Sequence, residues 1–325
     1  MSEKTKRVSV VQAGSDPFDT PSTLTKFSDL LSDVKAAKSD LAVFPEAFIG
    51  GYPKGVDFGV RVGSRNDAGR ELFRLYSDNA VELGSPEFEA LSETVAANEV
   101  ATVLGVIERK GATLHCSTFS FERDGSLLGV HRKLVPTAME RLIWGKGDGG
   151  DLPIIDSNAG RLVSAICWEN YMPLLRSYYY DANPDFYCVS TVDDRPVWLP
   201  TMQTIALESR AFVLSACQYL ERGMICLSDD QFDAVQGNAD DVVLISGGSC
   251  IIAPSGAVLA GPVFGKETIL TAEVDLNDRT RGKFDMDVAG HYARPDVFEL
   301  KANVEAQKNV REGEGRRRSS SPIER

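Results

Sequence analysis

Apolar positions along the chain follow two periods, which together predict an alternation of strands and helices. Short apolar or alternating runs mark strands at Val8–Ala13, Ala101–Glu108, Thr113–Glu122 and Ser126–Arg132, the last three separated by Lys110-Gly111 and Asp124-Gly125 turns. Leu41 to Phe44 is a shorter apolar run that ends at Pro45-Glu46. Leu24, Phe27, Leu30, Leu31 and Val34 recur at helical spacing after a Pro-Ser start, which predicts a helix over 22–38. A second helix starts at Ser85-Pro86 with Phe88, Leu91 and Val95 on one face, and Trp198, Met202, Ile205 and Ser209 share a face of another. Residues 47–63, AFIGGYPKGVDFGVRVG, are too rich in glycine and too irregular for a regular element and are expected to form a loop.

In the second half, Arg161–Ile166 reads as a buried strand that passes into a helix starting near Tyr171-Met172-Pro173, proline being favoured in a helix's first turn. Asp185–Thr191, Ala211–Gln218, Ser249–Ala253, Ala257–Ala260 and Thr268–Val274 are further expected strands, and the acidic stretch 221–247 an irregular surface loop. βα units alternate with hairpins, so the expected class is α/β, with substantial sheets covered by helices on their outer faces.

The 325 residues are enough for two domains, but no break in composition occurs before about residue 300. One domain over 1–300 is expected, followed by a tail, 301–325, poor in apolar residues and expected to be disordered. Up to residue 300 there are 28 basic against 43 acidic side chains, a net −15 that offers no footprint for nucleic acid. The run Arg316–Arg318 belongs to the tail and reads as solvated. No apolar run approaches the roughly 20 residues of a membrane helix, and MSEKTKRVSVVQAG has no signal-peptide core. Six cysteines in a chain of this length fit reduced thiols better than a disulfide framework, so the cytoplasm is the expected compartment.

Three reactive side chains each follow an apolar run: Glu46 after LAVF, Lys133 after LLGVHR and Cys167 after LVSAI. In α/β sheets, ligands are handled at the carboxyl ends of strands, where such residues converge. A carboxylate to take a proton, a thiol to attack an electrophilic carbon and an ammonium to offset developing negative charge suit one reaction type. At a strand-to-helix turn the thiol is expected to be partly exposed, with the positive end of the helix dipole favouring its thiolate. The same pattern taken alone also fits a structural cysteine and solvated strand-end charges. His115, His131 and His291 show no metal-ligand spacing, and GKGDGG (145–150) lacks the spacing and hydroxyl of a phosphate loop. Cys188, Cys217 and Cys250 read as small core side chains, and Cys226, in the acidic loop, as exposed.

The blocks FPEAFIGGYPKG (44–55), HRKLVPT (131–137), ERLIWGKGDG (140–149) and CWENYMPLLR (167–176) resemble the defining blocks of the nitrilase branch of the carbon–nitrogen hydrolase superfamily. ALESRAFVLSACQ (206–218), GGSCIIAPSG (247–256) and GHYARPDVFEL (290–300) extend the resemblance from about Val8 to Leu300, in the family's order. The Trp-Glu-Asn after the cysteine and the GGYPKG after the glutamate are closer to nitrilases than to the family's amidases. The resemblance implies a four-layer α-β-β-α sandwich with the nucleophile at a strand-to-helix elbow. It also implies Cys167 as nucleophile, Glu46 as general base or acid, Lys133 as stabilising cation and Glu140 as an additional glutamate orienting Lys133 or the substrate. The residues alone would leave Glu140 as a surface carboxylate at a helix start. Trp168 and Glu169 are expected to support the elbow and His131 to position its loop, while Tyr52 and the loop after Glu46, Trp168, Thr191–Trp198 and the 221–247 loop are expected to wall the substrate pocket. Asn170 stands where cyanide-degrading and arylacetonitrile-type members tend to carry His, which disfavours those two specificities. The implied reaction is hydrolysis of a nitrile to a carboxylic acid and ammonia, with no metal or cofactor, in a homo-oligomer of dimers stacked into larger spirals. An amide-forming or amidase member, and a filament-forming protein without catalysis, are the competing readings.

Overall fold

The computed structural model describes residues 4–229 and 231–307. In the first half the strands are β1 (Thr5–Gln12), β2 (Leu41–Val43), β3 (Ala101–Lys110), β4 (Thr113–Phe121) and β5 (Leu127–Arg132). Between them lie helices α1 (Thr20–Ala36), α2 (Asp67–Asp78) and α3 (Pro86–Asn98). The second half contains β6 (Ile155–Asp156), β7 (Arg161–Ile166), β8 (Phe186–Thr191), β9 (Phe212–Cys217) and β10 (Tyr219–Glu221). It ends with β11 (Val243–Ile252), β12 (Val258–Phe264) and β13 (Thr268–Asp275), with helices α4 (Pro173–Asp181), α5 (Trp198–Ser209) and α6 (Asn277–Asp285).

Two mixed sheets result. One has the order β13-β1-β2-β3-β4-β5, the other β10-β11-β9-β8-β7-β6, with β12 paired to β11. The parallel pairs β1–β2, β2–β3, β7–β8 and β8–β9 are those whose connections contain helices. A parallel pair needs a crossover of that length, whereas the antiparallel pair β3–β4 closes with a short turn.

Strand alternation divides the side chains into three layers of core. Val8, Val10, Val43 and Val103 of the first sheet meet Phe186, Leu214 and Ile251 of the second in the middle of the sandwich. On the first sheet's outer face, Phe44, Leu104 and Phe119 pack against Phe27 and Leu31 of α1 and Leu91 and Val95 of α3. On the second sheet's outer face, Val163, Val189 and Val213 pack against Leu175 and Tyr179 of α4 and Trp198, Met202 and Ile205 of α5. Each fully buried side chain of this size stabilises the fold by roughly 1.5–3 kcal/mol relative to exposure. The helices that close the outer layers are defined by their caps: the Asp19 carboxylate accepts from Ser22 N at 3.0 Å before α1, and the Ser85 hydroxyl from Phe88 N at 3.3 Å before α3.

Several expected bounds are corrected. α4 starts at Pro173, and residues 167–171 form a separate 3-10 turn. The segment after the glycine-rich loop contains α2, whose Tyr76 is fully buried. The stretch 221–247 is not wholly a surface loop: β11 begins at Val243, and Ile225, Leu227, Phe232 and Ala234 are buried. β6 and α6 were not expected, because one has two residues and the other, NDRTRGKFD, buries none. The start of the expected tail runs along the Asp148–Gly150 turn, where Gln307 N donates to Asp148 Oδ2 at 2.7 Å. A Cβ on Gly149 would lie 1.6 Å from Asn303 O, so that approach requires glycine. Residues 308–325, with the Arg316–Arg318 run, lie outside the described residues. No helix among the described residues is long and apolar enough to cross a membrane.

Candidate active site

Three loops at one end of the sandwich bring the reactive side chains together. Past β2 the chain crosses the face of β3, with Phe44 N donating to Val103 O at 2.8 Å. A Cβ on Gly105 would lie 1.9 Å from Pro45 O, so only glycine lets Pro45-Glu46 rest on β3. Gln218 Nε2 then holds the Glu46 carbonyl at 2.7 Å, leaving the Glu46 side chain fully buried. Lys133 follows β5 and donates its backbone N–H to Cys116 O at 2.8 Å. Glu140 lies in the 3-10 turn 138–142, where its Oε2 accepts from Thr137 N at 2.6 Å.

Cys167 follows β7 with φ +50°, a left-handed conformation that costs a non-glycine residue of order 1–3 kcal/mol. Neighbouring hydrogen bonds hold it there. Asn170 Nδ2 donates to Cys167 O at 2.8 Å. The buried Glu169 carboxylate accepts from Ile166 N at 2.7 Å, Leu134 N at 2.6 Å and His131 Nε2 at 2.8 Å. Glu169 therefore ties the Cys167 elbow to the Lys133 loop, with His131 holding the Glu169 carboxylate from the end of β5.

Lys133 Nζ donates to Glu46 Oε1 at 2.6 Å and to Glu140 Oε2 at 2.8 Å, and Tyr52 donates its hydroxyl to Glu140 Oε1 at 2.8 Å. Burial pushes the Glu46 carboxyl up to about 7; the Lys133 charge pulls it back and the Glu140 charge adds to the rise. Burial alone would lower Lys133, but Glu46, Cys167, Cys116 and Glu140 hold it well above its ordinary value, so the ammonium stays charged. For Cys167 the expectation is overturned. The residue is only 4% exposed, and burial, reinforced by Glu46, pushes its thiol far up despite Lys133 and the Thr191 hydroxyl. The dipole of α4 does not counter this, because its effect fades within a turn and the helix starts only at Pro173. The resting group is a thiol beside an unusually basic carboxylate.

A cavity of about 650 Å³ adjoins these groups. Glu140, Trp144 and Phe58 are its buried walls, Tyr52, Phe73 and Ile143 its half-buried ones, and Arg65, Arg70 and Val235 its exposed rim. Cys167 lies in the same apolar cluster as Phe58, Trp144, Val192 and Phe232. Of the expected walls, Tyr52 with the loop after Glu46 and residues 235–236 of the 221–247 stretch line the cavity, whereas Trp168 and Thr191–Trp198 do not. Thr191 is fully buried beside Cys167, and Trp168 donates Nε1 to Asp193 Oδ2 at 2.8 Å under the Arg195 guanidinium. Phe58 and Val235 belong to loops anticipated as walls, whereas Phe73, Ile143 and Trp144 were not anticipated; nor was the contact of Cys116, whose Sγ lies 3.5 Å from Glu46 Oε1. The pairing of Ser117 with Arg132 was the available signal, since it puts Cys116 opposite Lys133. Among the described residues no three His, Cys, Asp or Glu side chains gather as a metal site.

The carbon-nitrogen hydrolase family pattern matches residues 7–284. The chain belongs to the carbon–nitrogen hydrolase family. Within that family it is 50% identical to nitrilase blr3397 of Bradyrhizobium diazoefficiens, over 91% of each chain. It is 46% identical to the bifunctional nitrilase/nitrile hydratase NIT4B of Nicotiana tabacum, over 92% of this chain and 86% of that one. The carbon–nitrogen hydrolase structure from Helicobacter pylori superposes with a TM-score of 0.66 at 19% identity, covering 87% of this chain and 93% of that one, a likeness of fold. The four-layer sandwich expected of a family member is the one observed.

Proposed function

We propose that this chain is a nitrilase that converts organic nitriles to carboxylic acids and ammonia, with Cys167 as nucleophile. The observation that carries the proposal is the buried Glu46–Lys133–Glu140 chain of charge-assisted hydrogen bonds beside the Cys167 elbow. Glu46 Oε1 is engaged by Lys133, while Oε2 finds no partner among the described residues and is the atom available for proton transfer. The Cys167 proton passes to Glu46 as sulfur adds to the nitrile carbon, and Glu46 returns it to nitrogen, giving a thioimidate. Water adds, one of its protons passing through Glu46 to nitrogen; the second, relayed by Glu46 from the hydroxyl, lets the tetrahedral nitrogen leave as ammonia and the C=O of a thioester forms. A second water, activated in the same way, releases the acid from the thioester and restores the thiol. A base titrating near neutrality suits each of these transfers. Lys133 offsets the negative charge that builds at each tetrahedral stage, and Glu140, held by Tyr52 and Thr137 N, orients Lys133. If the first tetrahedral species expels the sulfur, the product is an amide. The similarity to a relative named as both nitrilase and nitrile hydratase favours keeping that second outcome.

The apolar walls Phe58, Phe73, Ile143 and Trp144 support a nitrile with an aromatic or extended aliphatic body. Exposed apolar side chains such as Leu174 and Val197 at the starts of α4 and α5, and Phe284 and Phe298 near the C-terminal end, support self-association into dimers and larger spirals, and six free cysteines suit the cytoplasm. Light scattering that finds only monomer at working concentration would contradict that assembly.

The decisive experiment measures ammonia, acid and amide from an aliphatic mononitrile, a dinitrile, an aromatic nitrile, an arylacetonitrile and cyanide, with Cys167→Ala as control. Acid and ammonia in equal amounts, lost in the variant while its circular dichroism is unchanged, is the expected result. Full turnover by Cys167→Ala, or turnover of amides alone, would overturn the proposal.

A further inference from the structure

A second thiol touches the proposed base. Cys116 is 1% exposed on β4, and its Sγ donates to Glu46 Oε1 at 3.5 Å. Its carbonyl accepts the Lys133 N–H at 2.8 Å. One strand position therefore meets both members of the Glu46–Lys133 pair, the carboxylate through its side chain and the lysine through its main chain. We propose that Cys116 is a positioning residue, whose S–H, together with Lys133, occupies Glu46 Oε1 and so turns Oε2 towards proton exchange at Cys167.

The terminal torsion of a glutamate is broad and roughly two-fold, so one hydrogen bond to Oε1 leaves the carboxylate free to rotate about that contact. A second donor on the same oxygen fixes the plane. The weak S–H donor adds this restraint without adding charge. Burial pushes the Cys116 thiol well up, with Glu46 adding, so the group remains a donor. Six other titratable groups bear on Glu46 or are felt by it: Lys133, Glu140, Cys167, Tyr52, Tyr76 of α2 and Cys217 of β9. Lys133, Tyr52, Tyr76 and the thiols keep their protons across the neutral range, so none of these groups contributes to the acidic limb of kcat/KM.

The inference rests on the proposed nitrile hydrolysis and is tested with the full chain on the nitrile that the panel identifies. Removing the donor from the charged form of Glu46 raises its pKa. In Cys116→Ala the acidic limb is expected to move up by about 0.7 unit, which is about five-fold in kcat/KM below the limb, on top of a smaller plateau loss from the freed carboxylate plane. Cys116→Ser, which keeps a donor, returns the limb to its wild-type position. Should the alanine variant fail to fold, Cys116→Val fills the space, suits the strand and lacks the donor, and the same upward shift is expected. A limb that stays in place in the donor-less variant, or a loss of equal size at every pH, overturns the role of Cys116. Wild-type turnover abolished in Cys167→Ala separates that result from failure of the nitrilase proposal itself, in which wild type would release no ammonia from nitriles or Cys167→Ala would keep the wild-type turnover.

Discussion

Replacing Glu140 by Gln separates its charge from its geometry. The amide oxygen can take the Oε2 place, accepting from Lys133 Nζ and Thr137 N, while the amide N–H₂ donates to a Tyr52 hydroxyl turned to accept. What disappears is one negative charge next to Glu46. Both carboxylates bond to one ammonium, at 2.6 and 2.8 Å, so the contacting oxygens are at most about 5.4 Å apart. With an effective dielectric constant near 20, their repulsion is about 3 kcal/mol at that distance, and less once each charge is spread over two oxygens. That corresponds to about 1–2 pKa units. Glu46 sits at about 7, raised first by burial and further by Glu140. The acidic limb of kcat/KM should therefore move down in Glu140→Gln, towards about 5–6. The plateau should fall by about 10²–10³, because Lys133 loses a partner that fixes it against the developing charge. The assay is ammonia release against pH, with thermal unfolding to confirm the fold. An acidic limb that stays put or moves up would refute the electrostatic account of Glu46, whatever happens to the plateau.

Two further outcomes test the frame around the site. The buried Glu169 carboxyl lies below its ordinary value and His131 above its own, so the Glu169 contribution is lost as pH falls below about 4.3 and that of His131 as pH rises beyond about 6.5. Removing one member of such a pair costs roughly 3–5 kcal/mol. Urea midpoints for wild type and Glu169→Gln should therefore differ more at pH 5.5 than at pH 8.5, and an equal difference would contradict a charged pair. Leu142→Trp narrows the cavity beside Ile143 and should raise KM for an aromatic nitrile roughly 10-fold while sparing a short aliphatic one. Equal effects on both substrates would remove the cavity from the substrate path.

The strands, most helices and the three residues Glu46, Lys133 and Cys167 are legible in the chain because each depends on local information, whereas Glu140 stood out only through the family resemblance. A strand shows itself in a run such as LVSAI, a helix in the spacing of Phe27, Leu31 and Val34, and the reactive residues in where those runs stop. α2 and the buried part of 221–247 escaped because glycine and acidic residues mask short apolar contacts, such as Tyr76 and Phe232, that acquire meaning only against a distant loop. Of the cavity walls, the loop around Tyr52 and residues 235–236 lay in anticipated stretches, while Phe73 and 139–144 escaped because they meet that loop only in the folded chain. The protonation of Cys167 was misjudged from sequence for a related reason. A helix start in the chain suggests a stabilised thiolate, but the free energy of a charge depends on how much water the whole fold removes, and here that removal dominates. Cys116 is the simplest case: nothing near it in the chain is reactive, and only the pairing of β4 with β5 brings it to Lys133 and Glu46. Sequence thus determined which side chains end the strands and what chemistry they carry. Tertiary structure decided which of them touch and which hold their protons, because contact and desolvation are properties of residues far apart in the chain.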